Sequence, residues 1–301
     1  MLVVDEGTWR DRERTHRARV SRWTGPHRER RQAGTAHPVL DFLFTYYSYR
    51  PTRLERWHPG PGVALAGDAS AFLRWPGYRR GPDGVCFDPA ALPAERRATG
   101  EFVLRLLRAT RDRPARLGCF GLHEWAMVYR DDRPRHGQVP LRLGAAGTDA
   151  VVESMPLRCT HHDAFRFFTP PARPRNETTP TRADQVHAEQ PGCLHATMDL
   201  YKWAYKLAPA TPSELVADCF ELAESVRELD MRASPYDLSA LGYSAVPIET
   251  PAGRADYARQ QAGFADRAGP LRDRLIAVAE QVAGHAADAR LGRSADAQLT
   301  S

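Results

Sequence analysis

A mainly helical α+β fold, in one compact domain with a few short strands, is what three features of this sequence predict. First, residues 192–207, GCLHATMDLYKWAYKL, separate into stripes when placed at about 100° per residue, with apolar side chains over most of the circumference. Second, two later stretches carry helix-start signals: Thr211-Pro212-Ser213-Glu214 reads as a capping box with Pro at the first position, and Pro251 opens a long Ala/Arg/Gln run. Third, the β-prone segments are short and stand between Gly and Pro turns. No internal repeat or linker divides the chain, which favours a single domain.

Taken in order, residues 1–35 hold nine Arg against five Asp or Glu, with Trp9 and Trp23 as the only large aromatics. They read as a basic helical extension of two helices parted at Gly25-Pro26, either a solvated extension or a nucleic-acid arm. The catalytic domain is expected over residues 36–285, and 286–301 as a flexible tail. HPVLDFLFTYYSYRP and TRLERWHPGPG then crowd Tyr46, Tyr47, Tyr49, Trp57 and His58 together, as core or as the floor of a pocket for a flat ring. GVALAG and AFLRW read as short strands, GYRRGPDGV as turns, and residues 93–111 as a helix. ARLGCFGLHEWAMVYR fits helix and buried strand equally, and a loop with one strand is expected over 134–144. PLRCTHHDAFRFF reads as a strand entering the Pro-rich loop TPPARPRNETTPT, which could cover a site or be an inert excursion. Beyond Pro212, Leu215, Cys219, Leu222, Val226 and Leu229 form a core stripe opposite an acidic side of Glu214, Asp218 and Glu221, expected to be solvated. The final helix is expected to break at Gly269-Pro270.

Composition excludes several classes. Apolar content of 42 % with six Trp, ten Tyr and eleven Phe indicates a folded globule. Five cysteines, an odd count in a chain of 301 residues, read as reduced thiols. No run of 18 apolar residues and no signal-peptide core occurs, so a cytoplasmic protein with no membrane partner is expected. There is no Walker or Rossmann phosphate loop and no G-x-S-x-G elbow. A net charge of +5 permits a DNA partner without requiring one.

Candidate catalytic groups lie on the central helix. His195, Asp199, Lys202 and Lys206 follow i, i+4, i+7, i+11 and form one narrow polar stripe between apolar arcs. Lys202 and Lys206 are the only lysines among 42 basic residues. An ammonium that can lose its proton or form an imine cannot be replaced by guanidinium, so a Lys base is expected here. The alternative is that Asp199 pairs with a lysine along the helix. Metal ligands are suggested by thiol, imidazole and carboxylate recurring together: Cys119 with His123 and Glu124, Cys159 with His161, His162 and Asp163, and Cys193 with His195. These are the donor types of zinc or iron, though no paired-finger spacing is present. Cys159, His161, His123, Glu124 and Cys193 are the expected metal set.

The blocks HPVLDFLFTYYSYRPTRLERWHPG, GCFGLHEWAMVYR, LRCTHHDAFRFFTP, EQPGCLHATMDLYKWAYKL and LVADCFELA…RELDMRASPYDL resemble an actinobacterial-type family labelled 3-methyladenine DNA glycosylase, over roughly residues 10–285. The resemblance implies an N-glycosylase that hydrolyses the bond to an alkylated purine. Such an enzyme flips a nucleotide, holds the base between rings and steadies an oxocarbenium-like sugar with a carboxylate. For that chemistry Tyr46, Tyr47, Trp57 and Trp125 would supply stacking faces, Asp199 would steady the cation, and N-terminal arginines would hold phosphates. The helix-hairpin-helix signature and repeated helix pairs of the better-known alkyl-base glycosylases are absent from the sequence, so no catalytic residue carries over. Two other readings stand beside it: a metal-dependent small-molecule enzyme with Cys/His/Asp/Glu ligands and a Lys base, and a nucleic-acid binder without turnover.

Overall fold

Asp5 starts the first long helix, accepting from the Thr8 amide at 2.9 Å, and α1 (Glu6–Gln32) then runs without a break. The structure is a computed structural model that describes residues 1–131 and 139–284. Pro26 lies inside α1 rather than ending it. Gly25 before it has no Cβ to meet the proline ring, and buried Trp23, Thr24 and His27 hold this turn of the helix. A solvated extension over residues 1–35 is therefore corrected to an integral helix. Trp9, His16 and Val20 are buried too, and the Trp9 indole N–H donates to the Ala66 carbonyl at 2.9 Å.

Helices α2 (Phe42–Tyr46) and α3 (Pro51–Leu54) follow. A four-stranded sheet has the order β1-β2-β4-β3, from β1 (Leu2–Val4), β2 (Val63–Leu65), β3 (Tyr78–Gly81) and β4 (Gly84–Phe87). β1 pairs parallel to β2, and β4 pairs antiparallel to both its neighbours, with Ala64 opposite Cys86 and Tyr78 opposite Phe87. GYRRGPDGV is thus a hairpin around Pro82-Asp83, not a string of turns. AFLRW is a 3-10 turn over Ser70–Arg74, because the Asp68 carboxylate accepts from both the amide and the hydroxyl of Ser70.

The remaining helices are α4 (Ala94–Arg111), α5 (Leu122–Ala126), α6 (Gly144–Ser154), α7 (His162–Phe165), α8 (Gln185–Ala188), α9 (Leu194–Leu207), α10 (Ser213–Arg232) and α11 (Pro251–Ala283). The fold is mainly helical α+β, as expected. α11 passes through Gly269-Pro270 unbroken. Residues 156–168 form no strand. Leu157 makes one bridge, to Asn176, and the Asn176 amide replaces a neighbouring strand: its Oδ1 accepts from Cys159 N at 2.8 Å, and its Nδ2 donates to Cys159 O at 2.9 Å.

The chain forms two compact units: residues 1–108, 200–220 and 271 onward, and residues 109–199 with 221–270. α9, α10 and α11 supply residues to both. In the first unit the acidic side of α10 is ion-paired rather than solvated. Glu214 accepts from Arg12 (2.8 Å) and the Trp57 indole (2.9 Å), and Asp218 accepts from Arg19 (2.8 Å) and Arg274 (2.9 Å). Glu214 therefore closes no capping box; the Ser213 amide donates to the His58 carbonyl, and the Pro212 carbonyl takes the amides of Leu215 and Val216. Arg28 and Arg30 likewise face Glu55 and Asp41 at 2.6 Å. The expected tail, 286–301, and much of the loop at 134–144 lie outside the described residues.

Candidate metal centre

The second unit folds around a cluster of buried histidines and carboxylates. His161, immediately before α7, is 1 % exposed. Its Nε2 stands 3.3 Å from Glu189 Oε1 and 3.5 Å from Asp199 Oδ2. Neither approach has the alignment of a hydrogen bond, and both ring nitrogens lack a hydrogen-bond partner. A second group, His123, His195 and Asp230, is as deeply buried. In each group the three donor atoms lie within 4.8 Å of one another. The His195 ring is 4.4 Å, edge-on, from that of His123 and 5.3 Å, stacked, from that of His161.

Local sequence positions these donors. The Asn176 clamp on Cys159 sets the approach to His161. Gln190 makes a similar clamp: its Oε1 accepts from the amides of Arg116 (2.8 Å) and Gly192 (2.7 Å), and its Nε2 donates to the Arg116 carbonyl (3.1 Å). Gly192 fits because a Cβ there would press on the Arg116 backbone. Gln185 Nε2, on α8, donates to Glu189 Oε1 at 2.6 Å and orients that carboxylate. His195 and Asp199 lie one turn apart on α9. On α10, Arg227 Nη1 donates to Glu124 Oε1 (2.8 Å) and Asp230 Oδ2 (3.1 Å), while the His123 Nε2–H donates to Asp230 Oδ1 (2.7 Å).

The charges are strongly perturbed. Burial works against an imidazolium at His161, but Glu189 and Asp199 push it up to about 10. Burial also opposes protonation of His123, and Asp230 overrides it, raising that imidazole well above its ordinary value. His195 is held far below by burial and by the charge of His123, which outweigh the pull of Asp230. Glu124 is raised by burial, against the pull of Arg227. Asp230 is held below the usual carboxylate range, burial notwithstanding, by His123. Burial pushes the Cys159 and Cys193 thiols up, so these remain protonated.

A cavity of about 300 Å³ opens onto the cluster, lined by Cys119, His123, Cys159, Cys193 and His195. Thr160, Glu177 and Thr178, from the segments that include the Pro-rich loop, line it too, with Arg116 and Arg158 exposed on its wall. The Tyr257 hydroxyl and Gln261 Oε1, also in the lining, are buried without hydrogen-bond partners.

Of the expected metal set, His123 and His161 join the two groups, together with His195 and Asp199 from the expected catalytic stripe. Glu124 instead pairs with Arg227, Cys159 Sγ faces the His161 carbonyl at 3.6 Å, and Cys193 lines the cavity without joining either group. Cys119 Sγ lies 3.5 Å from His123 Nδ1. Lys202 and Lys206 belong to the first unit, with their ammonium groups 4.7 and 5.8 Å from the Trp203 ring centre. Lys202 is half-buried, Lys206 is exposed, and neither lines the cavity. Sharing an azimuth does not mean being close: i+7 lies about 10 Å along the helix axis from His195. None of the expected stacking rings lines this cavity. Tyr47, Trp57 and Trp125 are buried, with the Trp125 indole donating to the Ala233 carbonyl at 2.8 Å, and half-buried Tyr46 stacks on Phe42. Glu189, Asp230, Arg227, Tyr257 and Gln261 were not singled out from the sequence. Asp230 left a signal: it lies within about 40° of Cys219 and Val226, on the apolar face of its helix.

No protein-family model, curated protein or solved structure matches this chain. No helix among the described residues is long and apolar enough to cross a membrane. The buried His, Asp and Glu groups could hold a metal ion.

Proposed function

We propose that this protein is a metal-dependent enzyme whose ion is held by His161, Glu189 and Asp199. The observation that carries the reading is the His161 imidazole, buried, unpaired in hydrogen bonding and facing two carboxylates at 3.3 and 3.5 Å. Donor atoms that share an ion at about 2.0–2.2 Å stand roughly 3–3.5 Å apart, so this spacing suits ligation. One imidazole and two carboxylates suit zinc or iron(II). A bound ion supplies Lewis-acid polarisation and acidifies water. The chain's own groups do the rest: Gln185 orients Glu189, and Tyr257 Oη and Gln261 Oε1 offer hydrogen bonds to a small polar substrate. Arg116 and the Arg158–Glu177 ion pair stand on the cavity wall.

The test is elemental analysis of protein purified without an affinity tag. Bound zinc or iron is expected, with loss in His161→Ala and Asp199→Asn and roughly 10–100-fold weaker affinity in Gln185→Ala. Metal-free protein that takes up no divalent ion on titration would overturn the reading.

Excision of an alkylated purine from DNA is a second reading. A cavity of about 300 Å³ has room for one flat heterocycle, which favours it, alongside the sequence resemblance. Release of 3-methyladenine from alkylated DNA tests that activity, and a steep salt dependence of DNA binding tests the partner.

A further inference from the structure

We infer that the centre is dinuclear, with His123, His195 and Asp230 forming a second divalent-cation site beside His161, Glu189 and Asp199. This rests on the metal-enzyme reading above and extends it from one ion to two. Three observations carry it.

The first is geometric. His195 contacts the rings of both neighbouring histidines, at 4.4 and 5.3 Å, so the two donor sets are one imidazole apart. Paired catalytic ions stand about 3.5–4 Å apart, a spacing that adjoining donor sets of this kind allow. Two imidazoles and one carboxylate in the second set are the facial donor combination of iron(II) sites and also suit manganese and zinc.

The second is burial. All six donor residues of the two sets are buried, where ionisable groups are paired with one another or coordinate a metal.

The third is the cavity wall. His123 and His195 line the cavity beside Tyr257, whose buried hydroxyl has no hydrogen-bond partner. Metal binding there displaces the His123 Nε2 proton to solvent.

The experiment uses the full chain, stripped with chelator and reloaded with manganese(II). Two equivalents per chain are expected by elemental analysis, with an exchange-coupled electron paramagnetic resonance signal. His195→Ala and Asp230→Asn should each lower the stoichiometry to one and abolish the coupling while the circular dichroism spectrum is retained. If a variant misfolds, the wild-type stoichiometry and spectrum decide alone. One equivalent with an uncoupled spectrum, or two equivalents that are uncoupled, overturns the dinuclear centre and leaves the single-ion reading standing. No bound manganese, zinc or iron overturns both.

Discussion

Arg227 shows how much this interior depends on single side chains. Its guanidinium is 1 % exposed and ion-paired to Glu124 and Asp230 at 2.8 and 3.1 Å. Removing one partner from a buried ion pair leaves a charge with neither water nor counter-ion, at a cost of about 3–5 kcal/mol. Arg227→Met should therefore lower the unfolding free energy read from urea denaturation by that amount, because the methionine fills the volume but leaves Glu124 and Asp230 without the guanidinium, Asp230 keeping only His123. Adding Glu124→Gln should recover part of the loss. A single variant as stable as the wild type would mean that the carboxylates are neutral in the native protein. Asp199, read from the sequence as chemically employed, lies in the cluster; the lysines on the same stripe do not line the cavity. Burial of the first turns of α9 could be read from periodicity. The identity of their partners could not, since His161 and Asp230 come from segments far away in the chain and Glu189 from the non-periodic loop just before α9.

At the scale of elements, long amphipathic helices were legible and short irregular ones were not. α4 and α9 end within about two residues of the stretches that their apolar spacing marks. Three of the segments misread or left open share one cause, a polar side chain doing the work of a backbone neighbour. Asn176 at Cys159, Asp68 at Ser70 and Gln190 at Arg116 each fix a non-repetitive path that periodicity cannot report. The β3–β4 hairpin was missed because its alternation is short and its turn holds Pro and Asp. Gly84 gives it a sharp test. It has φ +127°, and a Cβ there would collide with the Leu65 carbonyl in the neighbouring strand. Gly84→Ala should destabilise the protein by about 1–3 kcal/mol, read as a lower melting temperature, whereas Gly263→Ala, in open space on α11, should not.

For the whole molecule, pH should act through the first unit as well as through the buried histidine–carboxylate cluster of the second. Burial lowers the His58 imidazole from 6.5 to about 4. The unfolded chain takes up that proton first, so the native state has the full benefit above pH 6.5 and loses it progressively down to about pH 4. The slope reaches at most about 1.4 kcal/mol per pH unit. Asp41, lowered to about 2 against the effect of burial by Arg30 and His27, adds a further loss as pH falls from 3.8 towards 2. Melting temperatures of wild type and His58→Asn should converge between pH 6.5 and 4; parallel curves would show that His58 does not titrate in this window. The donors of the candidate centre have a different consequence for the chain. His161, Glu189 and Asp199 come from a turn, a loop and a helix, so an ion shared among them ties position 161 to position 199. Such a clasp shortens the free contour of the unfolded chain much as a covalent cross-link would. Stripping the ion would then open the Pro-rich stretch between those positions to proteases, making loss of the metal an event in the protein's turnover as well as in its chemistry.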